Sequence, residues 1–224
     1  MNILVIAAHA DDEVLGCGGT IAKYKDQGAT INVALLADGV SSRYEGKKNS
    51  KDDLKVRNLA AKDANKILGV DKVLFGAFPD NRMDSVDLLD VVKHVESLID
   101  NLKPDVILTH HSNDLNIDHR IVNQAVCTAC RPQNNCSVKS ILFFEVPSST
   151  EWQINSLNAF NPTFFEEVPN YMSIKISALE SYSMEMRKWP HPRSIEGVTH
   201  LAKWRGASVG VDAAESFIVG RIIK

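Results

Sequence analysis

Ile3-Leu4-Val5-Ile6-Ala7-Ala8-His9-Ala10-Asp11-Asp12-Glu13 opens as an apolar run and closes on one imidazole and three carboxylates. A short β-branched run bounded by charge reads as a fully buried parallel strand, and open α/β sheets bind ligands at the carboxyl ends of such strands. Crowding three anions into one desolvated turn costs several kcal/mol unless a cation or hydrogen-bond donors compensate. A bound metal is the simplest compensation, which makes an enzyme the leading class.

Outward from this stretch, strand-like runs alternate with helical patterns. The strands are predicted at Ile3 to Ala8, Ile31 to Ala37, Val73 to Gly76, Val106 to Thr109 and Ile141 to Glu145. Helices are expected at Val14 to Gln27, Leu54 to Leu68, Val86 to Asn101 and His119 to Cys130, where apolar residues recur at spacings of three and four. This alternation predicts a parallel sheet in a doubly wound α/β sandwich. Beyond Glu145 the pattern weakens among several prolines, leaving a helix near Ile195 to Trp204 and a last strand at Ser216 to Ile223. No linker or repeat divides residues 1–224, so one domain is expected.

The chain has 224 residues, 44% hydrophobic and 24% charged, with a formal net charge of −3. Neither a clustered basic surface nor a membrane span or signal core is visible, so the expectation is a cytoplasmic protein acting on a small molecule, not on nucleic acid. Assembly into a homo-oligomer is left open. Cys127 and Cys130 have C-x-x-C spacing but lie in an apolar helical stretch without a second pair, so packing is the expected role for them and for Cys17. Gly16, Gly18 and Gly19 follow the first strand, yet the turn itself carries Asp11, Asp12 and Glu13, which would repel a pyrophosphate; the glycines are read as helix-to-sheet packing positions.

A second ligand-rich strand end follows Val106-Ile107-Leu108-Thr109, in His110-His111-Ser112-Asn113-Asp114-Leu115-Asn116-Ile117-Asp118-His119. The first and fourth strands can flank the switch point of a doubly wound sheet, bringing His9, Asp12 and His119 into one crevice. Two imidazoles and one carboxylate, with a fourth position open, make the ligand set of a catalytic zinc site, and ferrous iron accepts the same donors. His110 and His111 alternate in facing; either lines the site or bonds to backbone. Asp118 is expected to lock the site geometry, a role compatible with capping the helix expected at His119.

His9-Ala10-Asp11-Asp12-Glu13 together with Asp118-His119-Arg120 resembles the LmbE-like, or PIG-L, family of zinc-dependent N-deacetylases. The likeness includes the Gly16 to Thr20 segment, Ala37-Asp38-Gly39, Arg57, Phe78-Pro79-Asp80 and the strand leading to His110. It implies a Rossmann-like, three-layer α/β/α sandwich with a mostly parallel sheet, and removal of an N-acetyl group from an amino sugar. It also implies His9, Asp12 and His119 as Zn2+ ligands and Asp11 as general base, with Asp118 helping to stabilise the tetrahedral oxyanion. Two positions depart from the family pattern. Ala10 replaces a proline, which removes no functional group. Asn116 replaces a histidine, and an amide donates hydrogen bonds but transfers no proton. His191, held between Pro190 and Pro192, is the candidate replacement, because oxyanion donors must be preorganised; the alternative is a surface-loop histidine.

For the substrate, Arg43, Arg57 and Arg82 either offer guanidiniums to a phosphate or are solvated surface residues, and Asp80, His110 and Asn116 offer polar contacts to a sugar. The expected substrate is a nucleotide- or lipid-linked N-acetylamino sugar. The alternatives are a metal amidase for a non-sugar N-acyl compound, or an inactive metal- and sugar-binding homologue.

Overall fold

A computed structural model describes residues 1–39, 50–133, 136–154 and 156–223. Five strands, β1 (Asn2–Ala7), β2 (Thr30–Ala37), β3 (Lys72–Phe78), β4 (Val106–His110) and β5 (Ser140–Phe144), pair in parallel, while β6 (Phe164–Glu167) and β7 (Ala214–Ile222) add antiparallel strands. Their order is β3-β2-β1-β4-β5-β7-β6, so the winding reverses between β1 and β4. This is the mostly parallel sheet of a Rossmann-like α/β fold, and it places the loops after β1 and β4 side by side.

Helices α1 (Asp12–Asp26), α2 (Ser50–Ile67), α3 (Leu88–Leu102), α4 (Ile117–Ala129), α5 (Met172–Ser181) and α6 (Ile195–Ala207) accompany the sheet. Two apolar clusters lie on its opposite faces. Ile3, Val5, Ile31 and Val33 pack with α1, whereas Leu4, Ile6, Ala34 and Ile107 pack with α3 and α4. The alternation along β1 is buried on both sides, as a central parallel strand requires. Gly16 runs so close to the sheet that a Cβ would collide with the Phe144 ring. Cys17 and Cys130 are buried free thiols, and no helix among the described residues is long and apolar enough to cross a membrane.

The sequence pattern missed two elements, β6 and α5. Helix α5 lacks a clean apolar stripe because it buries Lys175, whose Nζ lies 2.6 Å from Glu215 Oε1 and 2.8 Å from the carbonyl of Leu15. Glu215 also accepts from the amides of Gly19 and Thr20, at 2.9 and 2.6 Å, beside the kink of α1 at Cys17. Helix α4 starts two residues earlier than predicted. Its N-cap is Asn116, which accepts from the Asp118 amide at 2.8 Å, and Asp118 therefore sits in the first turn and not at the cap.

Candidate active site

The turn after β1 is tied by its own side chains. The His9 amide donates to Asp12 Oδ2 at 2.8 Å, and the Asp11 amide donates to Glu13 Oε2 at 3.1 Å. Asp11 adopts φ 112°, a conformation that costs a residue with a Cβ about 1–3 kcal/mol. Its carbonyl accepts from Val14 and Leu15, which starts α1 directly at the turn.

Three donor atoms converge here. His9 Nδ1 and His119 Nε2 each lie 3.2 Å from Asp12 Oδ2 and 3.3 Å from one another. Donors about 2.0–2.1 Å from a tetrahedral ion stand about 3.3 Å apart, so this triangle fits one face of such a site. Asp12 Oδ1 is buried without a hydrogen-bond partner among the described residues, which a cation would also relieve. The outer ring nitrogens are held by carboxylates. His9 Nε2 meets Asp118 at 2.9 Å and Asp80 at 3.2 Å, and His119 Nδ1 meets Asp114 at 3.2 Å. Such pairs orient imidazole ligands and raise their basicity. A second grouping, His9, Asp80 and Asp118, has its donors close together as well. Both Asp118 oxygens, however, already accept from backbone amides, of Asn81 at 2.6 Å and Met83 at 3.0 Å, so this grouping serves as scaffold.

Electrostatics favour a cation in the first group. Burial lowers the pKa of His119, but Asp12 and Asp114 overcome it and hold the imidazole at about 9. His9 behaves alike: burial opposes the charge, and Asp118, Asp12 and Asp80 raise it well above its ordinary value. In the metal-free protein the His119 ring carries a proton at neutral pH, and a metal must displace it. Metal affinity is therefore expected to rise as pH increases toward about 9. Titration calorimetry in buffers of different ionisation enthalpy should show proton release on metal binding at pH 7; no release would refute the assignment.

Asp11 is buried beside this group, and its Oδ2 accepts from Arg193 Nη1 at 3.0 Å. Burial pushes its carboxyl up to about 6; Arg193 and Arg57 oppose the rise and Asp12 adds to it. A polar cavity of about 100 Å³ opens in front, lined by His9, Asp11, Arg57, Asp80, Asn81, Asn116, Glu185 and Arg193. Arg57 Nη1 bonds Glu185 at 3.1 Å, and Asn116 Nδ2 donates to Asn81 at 2.9 Å.

Several expected residues stand elsewhere. His110 is wholly buried beneath the donor triangle and does not line the cavity. Its Nε2 accepts from the Ala8 amide at 2.8 Å, and its ring stacks on His119 at 3.9 Å. His191 does not line the cavity either; its Nδ1 accepts from the Arg193 amide at 3.1 Å and its ring meets Trp152 edge-on. Arg82 is exposed outside the cavity, and Arg43 lies outside the described residues.

Sequence reasoning assigned no role to Arg193, Glu185 or Asp114. Arg193 lies two positions beyond His191 in the same Pro-rich segment, and a guanidinium there was as available a signal as the imidazole. Asp114 also accepts from the hydroxyls of Ser149 and Thr150, the latter at 2.6 Å. Losing such a partner typically weakens metal binding 10- to 100-fold. Asp114→Asn should lower zinc affinity by about that factor in competition with a chromophoric chelator; unchanged affinity would remove Asp114 from the metal's support.

Known proteins are similar to this chain in sequence and in fold. The family described as PIG-L, GlcNAc-PI de-N-acetylase, matches residues 4–130. The uncharacterized deacetylase YaiS of Escherichia coli (strain K12) is 32% identical over 187 residues, 81% of this chain and 90% of the relative. N,N'-diacetylchitobiose deacetylase from Pyrococcus horikoshii superposes with a TM-score of 0.79 at 18% identity, covering 98% of this chain and 84% of that one. GalB, the 4-carboxy-2-hydroxymuconate hydratase from Pseudomonas putida KT2440, also has a TM-score of 0.79, at 21% identity, covering 100% of this chain and 98% of that one.

Proposed function

The chain belongs to the PIG-L family, and from that premise we propose that it is a zinc-dependent N-deacetylase acting on an N-acetylated amino sugar carried by a nucleotide or lipid. The observation that carries this reading is the His9, Asp12 and His119 triangle with Asp11 beside it in the cavity lining. A cavity of about 100 Å³ is well below the usual range for whole ligands, roughly 300 Å³ upward, and suits a reacting group such as an acetamide.

His9, Asp12 and His119 would hold the ion, which when bound polarises an amide carbonyl and lowers the pKa of water toward about 7. Asp11 takes the proton of the attacking water and returns it to the departing amine. Arg193 keeps the Asp11 carboxylate turned into the cavity. Asp118 and Asp114 fix the ring orientations of His9 and His119. Arg57 and Arg193, on the cavity wall, meet the negative charge that develops on the amide oxygen, the role expected of His191. Asp80, Asn116 and Arg57 contact the substrate beside the reacting group, while Arg43, Arg82 and His110 are not needed in this account.

The fold does not choose the reaction by itself, since a hydratase shares it. Acetate release from zinc-loaded protein, tested on free, nucleotide-linked and lipid-linked N-acetylamino sugars, does choose. Release from one class identifies the carrier. Absence of release from all of them, with one zinc bound per chain, would sink the amino-sugar reading.

A further inference from the structure

Glu13 follows the metal-binding turn, yet no step above uses it. Its side chain is buried and receives three donors: Tyr182 Oη at 2.6 Å, Asn65 Nδ2 at 2.8 Å and the amide of Asp11 at 3.1 Å. Tyr182 lies just beyond α5 and Asn65 lies on α2, so two outer helices grip one carboxylate in the first turn of α1. Asn65 and Tyr182 are themselves buried, at 0% and 2% exposure.

The donor that matters is the Asp11 amide. Asp11 holds φ 112°, a conformation residues with a Cβ rarely adopt and one that persists only where the surroundings over-determine it. Its carbonyl is committed to the amides of Val14 and Leu15, and its side chain to Arg193. Among the described residues its amide donates to Glu13 alone, and a carboxylate is the side chain suited to three donors at once.

We propose that Tyr182 and Asn65 are positioning residues for the hydrolysis: acting through Glu13, they hold the Asp11 backbone in its strained conformation and so aim its carboxylate at the attacking water. This rests on the reading of Asp11 as general base. A misplacement of about 1 Å at a reacting group costs as much as 10²-fold in rate. Neither residue touches the metal group, so their removal acts on turnover and not on metal binding.

The test uses zinc-loaded Tyr182→Phe, which keeps the ring and removes the hydroxyl, with Asn65→Ala as a second variant. For the panel substrate that wild-type protein turns over fastest, kcat should fall about 10- to 100-fold. KM should stay within about twofold, and bound zinc should remain at the wild-type level, since only the general base is displaced. In a Glu13→Gln background, Tyr182→Phe should add little further loss, because both changes break one chain of contacts. A crystal structure of Tyr182→Phe should show the Asp11 φ relaxed to a negative value. Wild-type kcat in both variants, rate loss that tracks lost zinc, full additivity with Glu13→Gln, or a Tyr182→Phe chain that does not fold would each overturn the inference. If the wild-type protein releases no acetate, the proposed reaction has failed, and the Asp11 φ still decides the positioning claim.

Discussion

Asp11→Asn is expected to lower kcat by about 10²- to 10⁴-fold, the usual contribution of a general acid–base group, while zinc stays bound. Asparagine has the shape of aspartate, and its carbonyl oxygen still accepts from Arg193, so the turn and the metal group survive. What it loses is the ability to take a proton. The buried carboxyl, raised to about 6, is basic enough to accept one from an acidified water and acidic enough to return it to an amine. Steady-state kinetics beside metal analysis separates the effects. A variant within about threefold of wild type would show that another group removes the proton. An inactive binding homologue would show no turnover before or after the change.

His119→Ala is expected to abolish both activity and tight zinc binding. The imidazole contributes one corner of the donor triangle, and two donors do not make a catalytic zinc site. Its loss also strips two buried carboxylates, Asp12 and Asp114, of the cation between them. Breaking a buried pair by deleting one partner typically costs about 3–5 kcal/mol, so the metal-free variant should melt well below the metal-free wild type. Thermal denaturation of both proteins in chelator checks this, and equal melting temperatures would mean that the site does not depend on His119 for its charge balance. Activity that persists in His119→Ala after chelation would remove the metal from the reaction.

Local pattern carried the parallel core. Strand β1, predicted at Ile3 to Ala8, lies at Asn2–Ala7, and the expected switch point falls between β1 and β4, where the structure has it. The same logic failed after Glu145. Strand β6 is four residues long, and α5 hides its periodicity behind a buried lysine. A buried polar residue looks exposed in sequence until its partner is known, and the partner of Lys175 is Glu215, 40 positions away.

What the sequence determined by itself was what short-range pattern can encode. Apolar runs with strand and helix periods specify which segments are buried, and two ligand-rich strand ends in a doubly wound sheet bring His9, Asp12 and His119 together. Only the tertiary structure decided which groups support them. Arg193 meets Asp11 across 182 positions, and Tyr182 meets Glu13 across 169. Those contacts have no local period. They exist because the last third of the chain folds back over the carboxyl ends of β1 and β4, where burial makes every unpaired charge costly and so selects partners by position in space.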